Sequence, residues 1–221
     1  MKYIILLFAV FFVCSCSSTP KEEPFTVDLN SPRFEAGSVE VYLDKFFSIG
    51  NLKKNDVTVY YYPLEDAVCL QFNVMYVHCN QFWDRDGRDA FVKAFERYQE
   101  EYEQRKLMTK GNRKTRGMYG MVQGFFTWKK TAISVQAYGS PKIKLGYQFK
   151  DKSVFFTTTQ MESYYEDPYG HSRNQTSPVT EVYFTRSQAE SLIALFKQEY
   201  LRGLALPPGT VNSSKSEPDK Y

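Results

Sequence analysis

Apolar residues recur along the chain at two spacings, and each spacing predicts an element. Val39, Tyr42, Leu43, Phe46, Phe47 and Ile49 follow a helical interval that Gly50-Asn51 stops, and the β-branched start also admits a strand over 39–43. Residues 57–62 and 67–78 read as the arms of a hairpin turned by Pro63-Leu64-Glu65-Asp66, with Val68, Leu70, Phe72, Val74 and Tyr76 on one face. Phe91, Ala94, Phe95, Tyr98 and Tyr102 form a helical stripe that Asp84 or Asp86 can cap and Gly111-Asn112 can end. Strands are expected over 119–128, 131–138, 143–149 and 153–161, and the short links between them favour an antiparallel meander. A further strand over 179–184 leads into a helix opened by Thr185, with Gln188 at capping-box spacing. Ala189, Leu192, Ile193, Phe196 and Tyr200 line its buried face, and Gly203 ends it.

Together these elements predict an α+β fold: a mostly antiparallel sheet of about seven strands, hairpin plus meander, packed against two or three helices. No repeat or change of composition interrupts residues 25–206, which read as a single domain. Residues 207–221 are polar and proline-containing, and read as a disordered tail.

Ahead of the domain the pattern changes. Lys2 precedes an unbroken apolar run over 3–13, and Ser15 is a small residue before Cys16. That layout is a secretory signal: a basic start, a short apolar core and a small residue at the cut. The run is shorter than the roughly 18 residues that read as a membrane span. Val13-Cys14-Ser15-Cys16 resembles the lipobox of bacterial lipoproteins. The resemblance implies cleavage between Ser15 and Cys16, a diacylglycerol on the Cys16 thiol and acylation of the new amino group. It further implies a protein held to a membrane of the cell envelope by lipid, with its domain outside the cytoplasm. Residues 1–15 are then the signal peptide and 16–24 a lipidated tether, polar and proline-containing. Two or more acyl chains anchor stably, since each buried methylene contributes about 0.8 kcal/mol.

Charge adds little. Charged residues are 24% of the chain and the net charge is +3, too mild to argue for a nucleic-acid partner. The 17 Tyr and 18 Phe suit the half-buried, pleated surface of a sheet. Cys69 and Cys79 are the two cysteines left for the domain. On a single extended strand they would stand roughly 33 Å apart, against a disulfide limit of about 7 Å, so both are expected as buried free thiols.

Candidate chemistry concentrates in loops. The meander would gather Lys129, Lys130, Lys150 and Lys152 at one end of the sheet. The basic run 110–116, Lys142 and the loop 162–178 would gather at the other. The basic run suits anionic headgroups or an acidic partner, and equally a solvated loop. Loops as long as 162–178 are uncommon in compact domains and often carry recognition, though a mobile hairpin tip has the same appearance. Its Tyr164, Tyr165, Tyr169, His171 and Arg173 are the partner-binding candidates, because Tyr offers wide contact area at low entropy cost.

The acidic segment 84–89 has its glycine fourth where a calcium loop needs it sixth, so helix capping accounts for it better. His78, His171, Cys69 and Cys79 lack the paired spacing of a zinc site. Gly117, Gly120 and Gly124 read as relief of crowding in a curved strand. No nucleophile elbow, phosphate loop, H-E-x-x-H or C-x-x-C occurs, so no catalytic residue, metal or cofactor is assigned.

The expectation is a membrane-anchored lipoprotein whose domain binds or supports an envelope protein without catalysis. The alternatives are a carrier holding an apolar small molecule between sheet and helices, and a hydrolase built on facing carboxylates.

Overall fold

A computed structural model describes residues 25–44, 52–74, 76–108, 117–130, 136–150, 153–164 and 176–205. In it Val39, Val41 and Leu43 alternate along a strand instead of winding into a helix. They belong to β1 (Phe34–Asp44), where they point into the core. The helical spacing expected here gives way because β1 is paired on both sides, by β2 (Leu52–Tyr62) and by β10 (Thr180–Phe184). Two partners make the β-branched pattern of period two decisive.

The expected strand 67–78 is two strands. β3 (Ala67–Val74) folds back into β4 (Val77–Trp83), leaving Tyr76 at the turn and 77% exposed instead of on the inner face. Helix α1 (Arg85–Glu103) follows, with Asp84 as its N-cap accepting from the Gly87 N–H at 2.7 Å. It ends at Gln104, well before the Gly111-Asn112 stop read from the sequence.

The largest correction concerns the meander. β5 (Met118–Gln123) and β6 (Phe125–Lys130) form one line interrupted only at Gly124, and β7 (Ala137–Gly139) and β8 (Lys142–Lys150) form another through Ser140-Pro141. Gly139-Ser140-Pro141, which looks like a turn, is a straight passage. Gln123 faces Lys142 and Phe126 faces Gly139 in one unbroken register. Lys129 and Lys150 consequently stand at opposite ends of this ribbon, not crowded together. β9 (Ser153–Gln160) then pairs with β8 and with β10.

The described strands number ten, not about seven, and all pair antiparallel in the order β5-β8-β9-β10-β1-β2-β3-β4-β6-β7. β5 is one end of that order and β6 lies next to the other, yet a single glycine joins them. The sheet must therefore curl until its ends meet, and it forms a half-barrel. A Cβ on Gly124 would lie 2.7 Å from Ile143 Cδ1, so the crossing point has room only for hydrogen. Gly120, by contrast, has open space beside it.

The concave side is filled by α1, which lies over β4, β5 and β8, and by α2 (Arg186–Phe196), which lies over β1, β9 and β10. Thr185 and Gln188 make the expected capping box at the start of α2. The helix breaks at Lys197 and resumes as α3 (Gln198–Ala205), which runs through Gly203. Phe91 of α1 meets Trp83, Phe156, Phe184 and Phe196 edge to face at ring separations of 5.2–5.8 Å. Phe95 and Tyr98 extend this ridge along Phe156. On the convex side a smaller cluster forms where Val27 and Phe25 cover Tyr62, Cys69, Phe82, Phe125 and Tyr138.

One buried polar seam crosses the concave side. Gln81 donates to Gln160 at 3.1 Å, Trp83 donates to Gln81 at 3.2 Å, and Gln160 donates to the Pro178 carbonyl at 3.2 Å. The ribbon separates β4 from β9 along the sheet, so this contact exists only because the sheet curls. Gln81→Leu should destabilise the fold by about 1–3 kcal/mol, because it strands the buried Trp83 N–H and the Gln160 carbonyl. The double change Gln81→Leu/Gln160→Leu should cost less than the sum of the two single changes; urea unfolding of all three variants measures this coupling.

Candidate functional site

The predicted recognition loop starts as structure. β9 and β10 pair Gln160 with Thr180, and the same register continues beyond both strands to a bridge between Tyr164 and Thr176. Ser177 donates its N–H to the Ser163 carbonyl at 2.8 Å, and Ser163 donates to the Ser177 hydroxyl at 3.0 Å. The segment is thus the root of a hairpin arm. The arm lies against β7: a Cβ on Gly139 would stand 2.6 Å from Ser163 Oγ and 2.8 Å from the Tyr164 carbonyl oxygen. Glycine at 139 therefore serves close approach of two backbones, not a turn.

Tyr164, at 74% exposure, is the one predicted partner-binding residue that the structure places. Tyr165, Tyr169, His171 and Arg173 lie outside the described residues, as do Cys16, the signal and tether segments, the tail 207–221 and the basic run 110–116.

The densest cluster of charge lies elsewhere. Asp66 closes the β2–β3 turn with a positive φ of 47°, and its carboxylate meets Arg85 at 2.5 Å and Arg88 at 3.0 Å. Arg88 is 2% exposed and also donates to the carbonyls of Asp66 and Trp83 and to the Gln198 side chain. Gln198 donates back to Asp66 at 3.1 Å. The cluster ties the hairpin turn, the start of α1 and the start of α3 to one point. Burial pushes the Asp66 carboxyl upward, but hydrogen bonds from Gln198 and the neighbouring charges of Arg88 and Arg85 outweigh it and hold the group below its ordinary 3.8.

Beside the cluster runs an open groove of about 480 Å³ between α1 and the α2–α3 junction, with Val92, Ile193 and Phe196 on its walls and Arg85, Asp89, Glu96 and Lys197 at its rim. The sequence carried a signal for this cluster. Arg88 falls at helical spacing with Phe91, Phe95 and Tyr98, so its charge had to enter the core and find an acid. Which acid was not legible, because Asp66 arrives from a turn two elements earlier.

The remaining candidates resolve into structure. Cys69 and Cys79 are buried free thiols, but for a different reason from the one expected: they sit on adjacent strands and point to opposite faces of the sheet. Burial raises both thiols, Cys79 to about 12, so neither is a thiolate at neutral pH. His78 shares a 2.9 Å hydrogen bond with Asn73 at a strand end. No group of metal-ligating residues occurs among the described residues. Between sheet and helices the cavity beside Leu192 measures about 10 Å³, with purely apolar walls that include Val41, Leu70 and Phe184. No helix among the described residues is long and apolar enough to cross a membrane.

Asp66→Ala should cost about 3–5 kcal/mol, because it leaves Arg88 charged and unpaired in the core. Arg88→Met should cost less, since Asp66 keeps Arg85. The depressed carboxyl contributes stability that is fully present above pH 3.8 and is lost as pH falls through the lower folded value. The gap between wild type and Asp66→Asn should therefore narrow below pH 3.8, which urea midpoints measured from about pH 2.5 to about pH 7 would show.

Residues 30–203 match the model of a family described as "Uncharacterised Treponema protein", and the chain belongs to that family. No curated protein matches the chain, and no solved structure matches it.

Proposed function

We propose that this Treponema-family chain is a cell-envelope lipoprotein, anchored through acylated Cys16, whose α+β domain binds an envelope protein without catalysing a reaction. The observation that carries the binding role is the hairpin arm. A register inherited from β9 and β10 lifts Tyr164 out to 74% exposure and leads directly toward Tyr165, Tyr169, His171 and Arg173. A paired root with aromatic residues following it in the sequence suits recognition, because Tyr offers wide contact area at low entropy cost.

Support for binding over chemistry comes from the Asp66 cluster. Arg88 is held by Asp66, Trp83 and Gln198, and Asp66 by Arg85, Arg88 and Gln198, which is how a structural clamp is built. The carrier reading draws little support from an interior cavity of about 10 Å³, because Phe91, Phe95 and Leu192 already occupy the space an apolar ligand would need. The anchoring part rests on Lys2, the apolar run 3–13 and Val13-Cys14-Ser15-Cys16.

Two measurements test the two halves separately. Cells fed radiolabelled fatty acid should mark the wild type and not Cys16→Ala; equal labelling of both removes the anchor. A photocrosslinking side chain at Tyr164 or Tyr169 in intact cells should give one discrete protein adduct that the same probe at Glu190, on the exposed side of α2, does not give. Identical adducts from both positions, or none from the arm, would remove the binding role.

A further inference from the structure

The convex side of the ribbon carries a pattern that neither the core nor the arm uses. Because the register of β5–β6 against β8–β7 is unbroken at Gly124, Met121, Gln123, Phe125 and Thr127 all face outward, opposite Lys144, Lys142, Ser140 and Tyr138 respectively. β9 adds a third column: Thr159 lies beside Lys144, and the Met161 N–H donates to the Lys142 carbonyl at 2.8 Å. Met118 stands opposite Gly146, past a bulge. The result is an outer face where Met118, Met121 and Met161 are 39%, 46% and 36% exposed and surround Lys142 and Lys144. Neither lysine forms an ion pair among the described residues; the neighbouring carboxylate, Glu181 on β10, accepts hydrogen bonds from Thr159 and Gln148.

The chain's entry into the fold lies on the same face. Phe25 and Val27 join the apolar cluster that includes Phe125 and Tyr138, with Phe125 two residues from Gln123 and Tyr138 four from Lys142. Residues 16–24 reach at most about 30 Å beyond that point. With the proposed lipid at Cys16, the point where the chain enters the domain would lie within about 30 Å of the bilayer.

We infer that the outer face formed by β5, β8 and β9 lies against an anionic phospholipid surface, with Lys142 and Lys144 meeting the headgroups and Met118, Met121 and Met161 entering the interface between them. Unbranched, polarisable methionines adapt to an irregular apolar boundary, and unpaired lysines are drawn to the negative potential of such a surface. The orientation rests on the anchor proposed above; the chemistry of the face does not, so the two can fail separately.

The test uses residues 17–221, which omit the apolar run and the acylated thiol and keep every described residue. Flotation with vesicles of phosphatidylglycerol and phosphatidylcholine should carry the protein upward at low ionic strength, and pure phosphatidylcholine should not. Each lysine near the surface contributes about fivefold, so Lys142→Glu/Lys144→Glu should lower binding at least about tenfold. Met118→Ser/Met121→Ser should lower it severalfold. Lys93→Glu/Lys197→Glu, the same charge change on the exposed helix side, should leave it unchanged, with matching circular dichroism for all variants. No flotation, equal flotation on both lipids, or equal loss from both lysine pairs overturns the assignment. So does a dimer in vesicle-free solution that Met121→Glu dissolves, which would give the face to a second copy of the chain. Fatty-acid labelling of Cys16 reads the anchor independently of all of these.

Discussion

The packing of Phe91 into the concave side of the sheet is the contact around which the molecule is arranged. Its ring meets aromatic partners from β4, β9, β10 and α2, the last three of which lie more than sixty residues beyond it in the chain. Fully burying a side chain of this size contributes roughly 1.5–3 kcal/mol, and edge-to-face pairs add about 0.5–1.5 kcal/mol each in favourable geometry. A flat sheet could not bring those four partners to one ring. The curl of the sheet and the aromatic ridge of α1 therefore require each other. The Gln81–Gln160 contact fits the same constraint, because it spans two strands that only curvature brings together.

That arrangement separates the parts of the molecule by role. The concave side is filled with side chains and leaves about 10 Å³ beside Leu192, so it acts as core. Arg88 and Asp66 lock the helices to the turn of the β2–β3 hairpin, where their charges neutralise each other. The outward features among the described residues include the arm rooted at Ser163 and Ser177, the methionine and lysine face of the ribbon, and the groove between α1 and the α2–α3 junction.

The ribbon links these outer features. β5 and β6 are one line of chain that pairs with β8 at one half and with β4 at the other, so it belongs to both ends of the sheet. The arm lies along β7, and the first described residues pack on Phe125. Movement of this ribbon would disturb the sheet closure, the root of the arm and the seat of Phe25 together. At Gly124, where the ribbon crosses Ile143, and at Gly139, where the arm lies on it, the missing side chain is what permits contact.

Local patterns alone determined several elements of this protein. The stripe of Phe91, Phe95 and Tyr98 specified α1, Thr185 with Gln188 specified the start of α2, and alternation specified β2, β3 and β10, because each signal is complete within a few residues. Tertiary structure decided what depends on a distant partner. Residues 39–44 became strand because two neighbours flank them, and 139–141 runs straight because Ser163 and Tyr164 pack beside Gly139. Cys69 and Cys79 came onto adjacent strands through a fold-back the strand pattern did not reveal, and they face opposite sides of the sheet. Arg88 announced a buried charge, while its partner Asp66 emerged only in three dimensions, since the energy of a buried ion depends on what the whole chain brings to it.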